Sequence, residues 1–312
     1  MPDSRGKILV IRGGAIGDFI LTLPVLAALR QQFPNARLEV LGYPHIAQLA
    51  LLGGLADQVQ SIEARPLAGF FAQRSSLDGR LAEYFAGFAL IISYLYDPDN
   101  VFQENVARCS KAQFIAGPHR PNENESVHAT DVFLKPLERL AIFDADAAPR
   151  INLNAARNVA GAENSVSRWL ACHPGSGSER KNWPEENWAT LLQRLADKTG
   201  LQFLLLGGEA EGERLARLAA LVPPNRIKVA QSLPLPEVAA LIGECQFYVG
   251  HDSGITHLAA ALGLPGLVLW GGTNESVWRP RGQQMSLLRN AHGLAAISVE
   301  EVEGQIRMGK AV

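Results

Sequence analysis

The stretch Val10–Arg30, VIRGGAIGDFILTLPVLAALR, decides the fold. Its start continues an apolar run, KILVI, that reads as a buried strand, and its end carries apolar side chains at helical spacing. Gly13, Gly14 and Gly17 lie between the two, so the chain turns from strand to helix as it does in a parallel α/β sheet. Free backbone N–H groups point outward at such a turn and commonly face an anion. Here Asp18 occupies its mouth, so a carboxylate stands where a phosphate is expected.

Outward from this turn the alternation continues. RLEVLGY, LIISYL and AQFIAG read as further strands, with helices around 18–33, 45–52 and 100–109. After a less regular stretch the pattern resumes with WLACHPG, QFLLLGG, RIKVA, QFYVGHDSG and GLVLWGG, interleaved with helices near 185–199, 211–221, 235–244 and 253–262. Repeated strand and helix alternation predicts parallel sheets covered on both faces, and the two blocks predict two of them. The polar, Ala- and Asn-rich segment 152–168 is the best linker candidate, which sets expected domains at 1–155 and 156–312. The last helix, SVEEVEGQIRM, is free to pack on either half.

The chain's 312 residues suit two domains of about 100–200 residues each. A formal net charge of -2, with 19% charged residues, gives no global attraction to nucleic acid. Cys109, Cys172 and Cys245 are far apart and outside any metal-ligand spacing, which argues against a metal or disulfide framework and for a reducing compartment. The N-terminus lacks a secretory pattern, and no apolar run reaches the ~20 residues of a membrane span. The expectation is a cytoplasmic protein that at most lies on a membrane surface.

In open parallel sheets ligands bind beyond the carboxyl ends of strands, so those loops are the ones to search. RGGAIGD fits neither a P-loop nor GxGxxG. Asp18 either complements the helix dipole or accepts a proton from a bound hydroxyl. In CHPGSGSERKNWPEENW, 172–188, Ser176, Gly177 and Ser178 supply donors, and Arg180 and Lys181 supply charge for a phosphate or for solvent. In YVGHDSGITHLAAALGLP, 248–265, Asp252 or Ser253 caps a helix whose first amides, with Gly254, form an anion site within reach of His257. LWGGTNESVWRP adds Thr273 and Asn274 as donors, with Trp270 and Trp278 read as packing. Glu209, beyond another strand end, either binds ribose hydroxyls or starts a helix. The second half therefore offers a diphosphate site and the first a base.

These stretches resemble, in order and spacing, the family 9 glycosyltransferases, the ADP-heptose:lipopolysaccharide heptosyltransferases. The residues that carry the likeness are IRGGAIGDFILTLPVLAALRQQFPNARLEVL, HPGSGSERKNWPEENWATLL and GHDSGITHLAAALGLPGLVLWGGTNESVWRP. The resemblance implies a GT-B type fold, two Rossmann-like doubly wound domains facing across a cleft. It implies metal-independent, inverting transfer of heptose from ADP-heptose to a lipopolysaccharide inner-core acceptor at the cytoplasmic face of the inner membrane, with no cofactor. It puts the catalytic acid residue on Asp18, the motif lysine on Lys181, and diphosphate binding on Asp252, Ser253, Gly254 and His257. Gly14, Gly17, Ser176, Gly177, Ser178, Gln231 and Thr273 complete the donor side, although Gln231 and Ser232 stand where the family often carries an acidic residue or glycine for the ribose. On the acceptor side, Arg65, Arg74, Arg80 and Arg120, with His119 and His128, suit an acidic core sugar or an ordinary solvated surface. A nucleotide-sugar epimerase or hydrolase of the same fold, and a non-catalytic nucleotide-sugar binder, are the competing readings.

Overall fold

A computed structural model describes residues 6–153, 168–282 and 284–308, and the chain divides into two compact units, Met1–Ala147 and Ala148–Val312. The first unit runs β1 (Lys7–Arg12), α1 (Ile16–Ile20), α2 (Leu23–Gln32), β2 (Arg37–Gly42), α3 (Pro44–Leu52), β3 (Gln58–Ser61), α4 (Gly79–Ala86), β4 (Leu90–Ser93), α5 (Val101–Ala107), β5 (Gln113–Ala116) and α6 (Ala129–Leu134). Its five strands are parallel in the order β3-β2-β1-β4-β5. The second unit runs β6 (Trp169–Cys172), α7 (Glu185–Lys198), β7 (Gln202–Gly207), α8 (Gly212–Ala219), β8 (Ile227–Gln231), α9 (Leu235–Gly243), β9 (Phe247–His251), α10 (Gly254–Ala261), β10 (Gly266–Leu269), α11 (Glu275–Trp278), β11 (Met285–Leu288) and α12 (Val299–Met308). Its six strands are parallel in the order β11-β10-β9-β6-β7-β8. Both sheets thus have the doubly wound Rossmann order, whose strand sequence reverses beside the first strand of each unit.

The central strands are buried because their side chains are apolar on both faces. Leu9, Val10 and Ile11 of β1 are at most 1% exposed, as are Tyr248 and Val249 of β9. In the first unit Leu9, Ile11 and Ile91 pack against an aromatic cluster of Phe70, Phe85 and Phe102, with Phe70 and Phe85 centroids 4.8 Å apart. Each such ring contributes roughly 1.5–3 kcal/mol by leaving water. In the second, Trp188, Leu191 and Leu195 of α7 meet Val299, Val302 and Ile306 of α12. The last helix therefore packs on the second unit, and Trp183 Nε1 ties it down by donating to the Ile297 carbonyl at 2.9 Å.

Three differences from the sequence reading have local causes. The helix expected over 18–33 is two helices, because Pro24 can neither donate to the preceding turn nor fit its ring there. The edge strands β3 (QVQS) and β11 (MSLL) are short and lack a long apolar run, so no periodicity announces them. The chain joins the second unit before residue 155: Ile151 N–H already donates to the Ala261 carbonyl at 2.8 Å. Most of the expected linker, residues 154–167, lies outside the described residues.

Candidate active site

The turn after β1 sits at the switch point of the first sheet, between the ends of β1 and β4. Asp18 lies in the first turn of α1, where one carboxylate oxygen, Oδ2, accepts from Ala15 N–H at 3.0 Å. The other, Oδ1, is 3.6 Å from Nη2 of Arg12. Arg12 is 3% exposed and Asp18 side-chain exposure is 24%, so the cation is the buried partner and the carboxylate the accessible one. Arg12 closes β1 after four apolar residues. Its Nη1 donates to the His119 carbonyl at 2.8 Å, and its guanidinium carbon lies 4.5 Å from the Phe133 ring centroid. Burial draws its pKa below the ordinary arginine value, against the pull of Asp18 and Tyr94, and an arginine still carries its charge at neutral pH.

Gly14 makes this arrangement possible. Its φ is +99°, and a Cβ there would stand 2.9 Å from Asp18 Oδ2. The Asp18 backbone is held as well, since Thr22 Oγ1 donates to its carbonyl at 2.8 Å. The carboxylate thus serves as the local cap through Oδ2 while remaining partly open to solvent. Gly17 lies in α1, where its carbonyl accepts from Leu21 N–H at 2.9 Å.

In the second unit the corresponding switch point lies between β6 and β9. Lys181 ends a 3-10 turn, Glu179–Lys181, and its Nζ lies 2.8 Å from Asp252 Oδ2. Here the lysine is the accessible partner, at 44%, and Asp252 the covered one, at 10%. Ser253 caps α10 by accepting from Thr256 N–H at 3.3 Å, while its Oγ is 3.2 Å from His173 Nδ1. Gly254 opens the helix and His257 is buried in its first turns.

Two buried imidazoles fix the loop. His251 Nε2 accepts from Trp183 N–H at 2.8 Å, which leaves Nδ1 to donate to the Gly175 carbonyl at 3.3 Å. Burial lowers the His251 pKa to about 4 and that of His173 to about 3, so both stay neutral around pH 7. Ser176 folds its hydroxyl inward on Asn182 Oδ1 at 2.7 Å, whereas Gly177, at φ +74°, and Ser178 are exposed. The glycine at 175 is required because Glu211 lies directly against it, and Gln231 likewise fills the space beside Gly212.

The remaining expected residues are placed as follows. The Thr273 carbonyl accepts from buried Trp270 Nε1 at 2.9 Å, so Trp270 is packing. Glu209 starts a 3-10 turn. His128 is buried as the cap of α6, accepting from Thr130 N–H at 3.2 Å. Arg65 and Arg74 are exposed between β3 and α4, Arg80 is exposed in the first turn of α4, and Arg120, after β5, pairs with Glu123 at 3.0 Å. Among the described residues no cluster of His, Cys, Asp or Glu is arranged to hold a metal ion, and no helix is long and apolar enough to cross a membrane. Sequence reasoning missed Arg12, although a charged residue at the end of a buried strand was visible as a signal.

The fold and its two polar switch points define a GT-B type protein, two doubly wound units in tandem. Residues 139–305 match the profile of glycosyltransferase family 9 (heptosyltransferase), and the chain belongs to that family. It is similar to lipopolysaccharide heptosyltransferase 1 of Salmonella typhimurium, 34% identical over 128 residues, a match spanning 40% of this chain and 39% of the relative. Its fold is shared with a family 9 glycosyltransferase of Veillonella parvula, with a TM-score of 0.78, 19% identity, and coverage of 99% and 98% of the two chains. It is also shared with the heptosyltransferase WaaC of Escherichia coli, solved with ADP, with a TM-score of 0.75, 19% identity, and coverage of 97% and 99%.

Proposed function

We propose that the protein transfers heptose from ADP-heptose to a sugar hydroxyl of a lipopolysaccharide inner core, with inversion and without a metal. The observation that carries this reading is the Lys181–Asp252 pair, held at 2.8 Å beside the Ser253-capped start of α10. A cation with free backbone amides at a helix N-terminus suits a diphosphate. The match to a heptosyltransferase family supports heptose as the sugar. The solved relative whose bound ligand is ADP supports adenosine diphosphate as the leaving group.

Asp18 takes the proton of the acceptor hydroxyl, whose oxygen attacks the anomeric carbon from the side opposite the diphosphate. As the new C–O bond forms, the bond to the diphosphate breaks and its electron pair leaves with ADP. Lys181 and the amides at Ser253 and Gly254 stabilise that growing negative charge, the task a metal performs in other transferases. His257, Ser176, Gly177, Ser178, Gln231 and Thr273 complete the donor side. The second unit is thus the nucleotide-sugar domain and the first the acceptor domain, working at the cytoplasmic face of the inner membrane.

The test is incubation of the purified protein with ADP-heptose and lipid A cores ending in Kdo or in heptose, following ADP release and acceptor mass. The reading predicts acceptor-dependent release, one added heptose, and loss of both in Asp18→Asn. Release that ignores acceptor points to hydrolysis or epimerisation, and near-native transfer by Asp18→Asn removes the base assignment.

A further inference from the structure

The first unit holds a cavity of about 220 Å3 at the carboxyl ends of β4 and β5, which no part of the reaction above uses. Its most prominent feature is Tyr96, a large aromatic side chain left 70% exposed. The ring stands edge-on to His119 with centroids 4.7 Å apart, so its orientation is supported from one side. Ser93, Asn100 and Gln103 add polar groups to the lining, and no lysine or arginine contributes to it. Asp97 also lines it, with its two carboxylate oxygens accepting from the N–H groups of Phe102 and Gln103 at 3.1 and 3.0 Å.

An exposed aromatic face carries negative charge density, which attracts the weakly positive C–H groups on one face of a sugar ring. Hydroxyls and side-chain amides beside it suit the ring's own hydroxyls. A carboxylated or phosphorylated sugar is disfavoured, because the lining holds Asp97 and no arginine or lysine to pair with it. The cavity is also tied to the base: the His119 backbone carbonyl accepts from Arg12 Nη1, and Arg12 Nη2 faces Asp18.

We propose that this cavity binds an uncharged pyranose ring of the acceptor, stacked on Tyr96, with the His119 ring supporting Tyr96. Assignment of the ring to the acceptor rests on the transfer reading, since the base must touch the acceptor hydroxyl and the same guanidinium touches both. The site selects a neutral terminal sugar such as heptose over an acidic one. It takes no part in bond breaking, so Tyr96 is a specificity residue.

Two measurements on the full chain test this. In saturation-transfer NMR, methyl α-mannopyranoside receives magnetisation from wild type and from Tyr96→Phe. The signal falls at least fivefold in Tyr96→Ala, and Kdo gives the weaker signal throughout. Equal signals in wild type and Tyr96→Ala, no signal from wild type, or a stronger signal from Kdo overturns the site, whatever the enzyme transfers. In steady-state transfer from ADP-heptose to a heptose-terminated core, Tyr96→Ala raises the acceptor KM about tenfold and leaves the donor KM within twofold. An unchanged acceptor KM in an active enzyme overturns the proposal without touching the transfer reading. Absence of transfer by wild type removes that reading, while the NMR result still decides the site.

Discussion

The two switch points are built on the same strand order and carry opposite polarity. After β1 the accessible group is a carboxylate, Asp18, backed by a buried arginine; after β6 it is a lysine, Lys181, backed by a covered aspartate. In the proposed reaction the more accessible group of each pair meets the ligand, and its covered counter-ion fixes where it points. A doubly wound sheet supplies the position, and on the proposed reading the charge placed there sets its task, proton abstraction at Asp18 and phosphate binding at Lys181. The turns are also stiffened differently. Backbone hydrogen bonds and Gly14 hold the first, whereas the neutral imidazoles of His173 and His251 hold the second.

The largest effect that could break this comparison is in the accessible groups themselves. Asp18→Asn keeps the shape but removes the acceptor of the proton, and transfer falls by roughly 10²–10⁴-fold. Lys181→Met removes one stabilising charge from the leaving diphosphate and lowers kcat by about 10²–10³. Measured side by side, the asparagine variant keeps its donor KM while the methionine variant raises it.

The buried counter-ions give the next effect. Arg12→Lys keeps a charge but loses the fork that reaches both His119 and Asp18, so kcat falls about tenfold with a smaller loss of stability. A native kcat in this variant shows that charge alone positions Asp18. Gly14→Ala must adopt φ near +99° with its methyl against Asp18 Oδ2, costing about 1–2 kcal/mol in denaturant unfolding along with activity. The corresponding change at Gly177, also at positive φ but with open space around it, costs stability while leaving the carboxylate in place.

A last comparison separates the two turns by pH. His173 and His251 have folded pKa values pushed down to about 3 and about 4, below the ordinary 6.5. The unfolded chain binds those protons first, so stability is full above about pH 6.5 and declines as pH falls toward 4. His173→Gln flattens that decline in thermal melts between pH 7 and 4. An unchanged slope shows that the imidazoles are not what hold the second turn.

Much of this was legible in the sequence because it rests on long apolar runs and on glycine. The central strands and the loops carrying Asp18, Lys181 and Ser253 are marked by both. The edge strands β3 and β11 were not, since QVQS and MSLL are short and lack the apolar run that marked the other two edges, β5 and β8. Arg12 escaped notice because its importance lies in contacts with His119, Phe133 and Asp18 that only the fold brings together. Tyr96 escaped for the same reason: its neighbour His119 comes from the loop after the next strand. The arginines at 65, 74, 80 and 120 drew attention by charge alone, which says nothing about whether a cavity lies beside them.

The division of labour between the two turns is tested most directly by titrating ADP into wild type, Asp18→Asn and Lys181→Ala by isothermal calorimetry. The account predicts that the Asp18 variant binds ADP as wild type does, while the Lys181 variant binds at least tenfold more weakly. Weakening by Asp18→Asn equal to that by Lys181→Ala, or full affinity in the Lys181 variant, contradicts the assignment of the base to one unit and the diphosphate to the other.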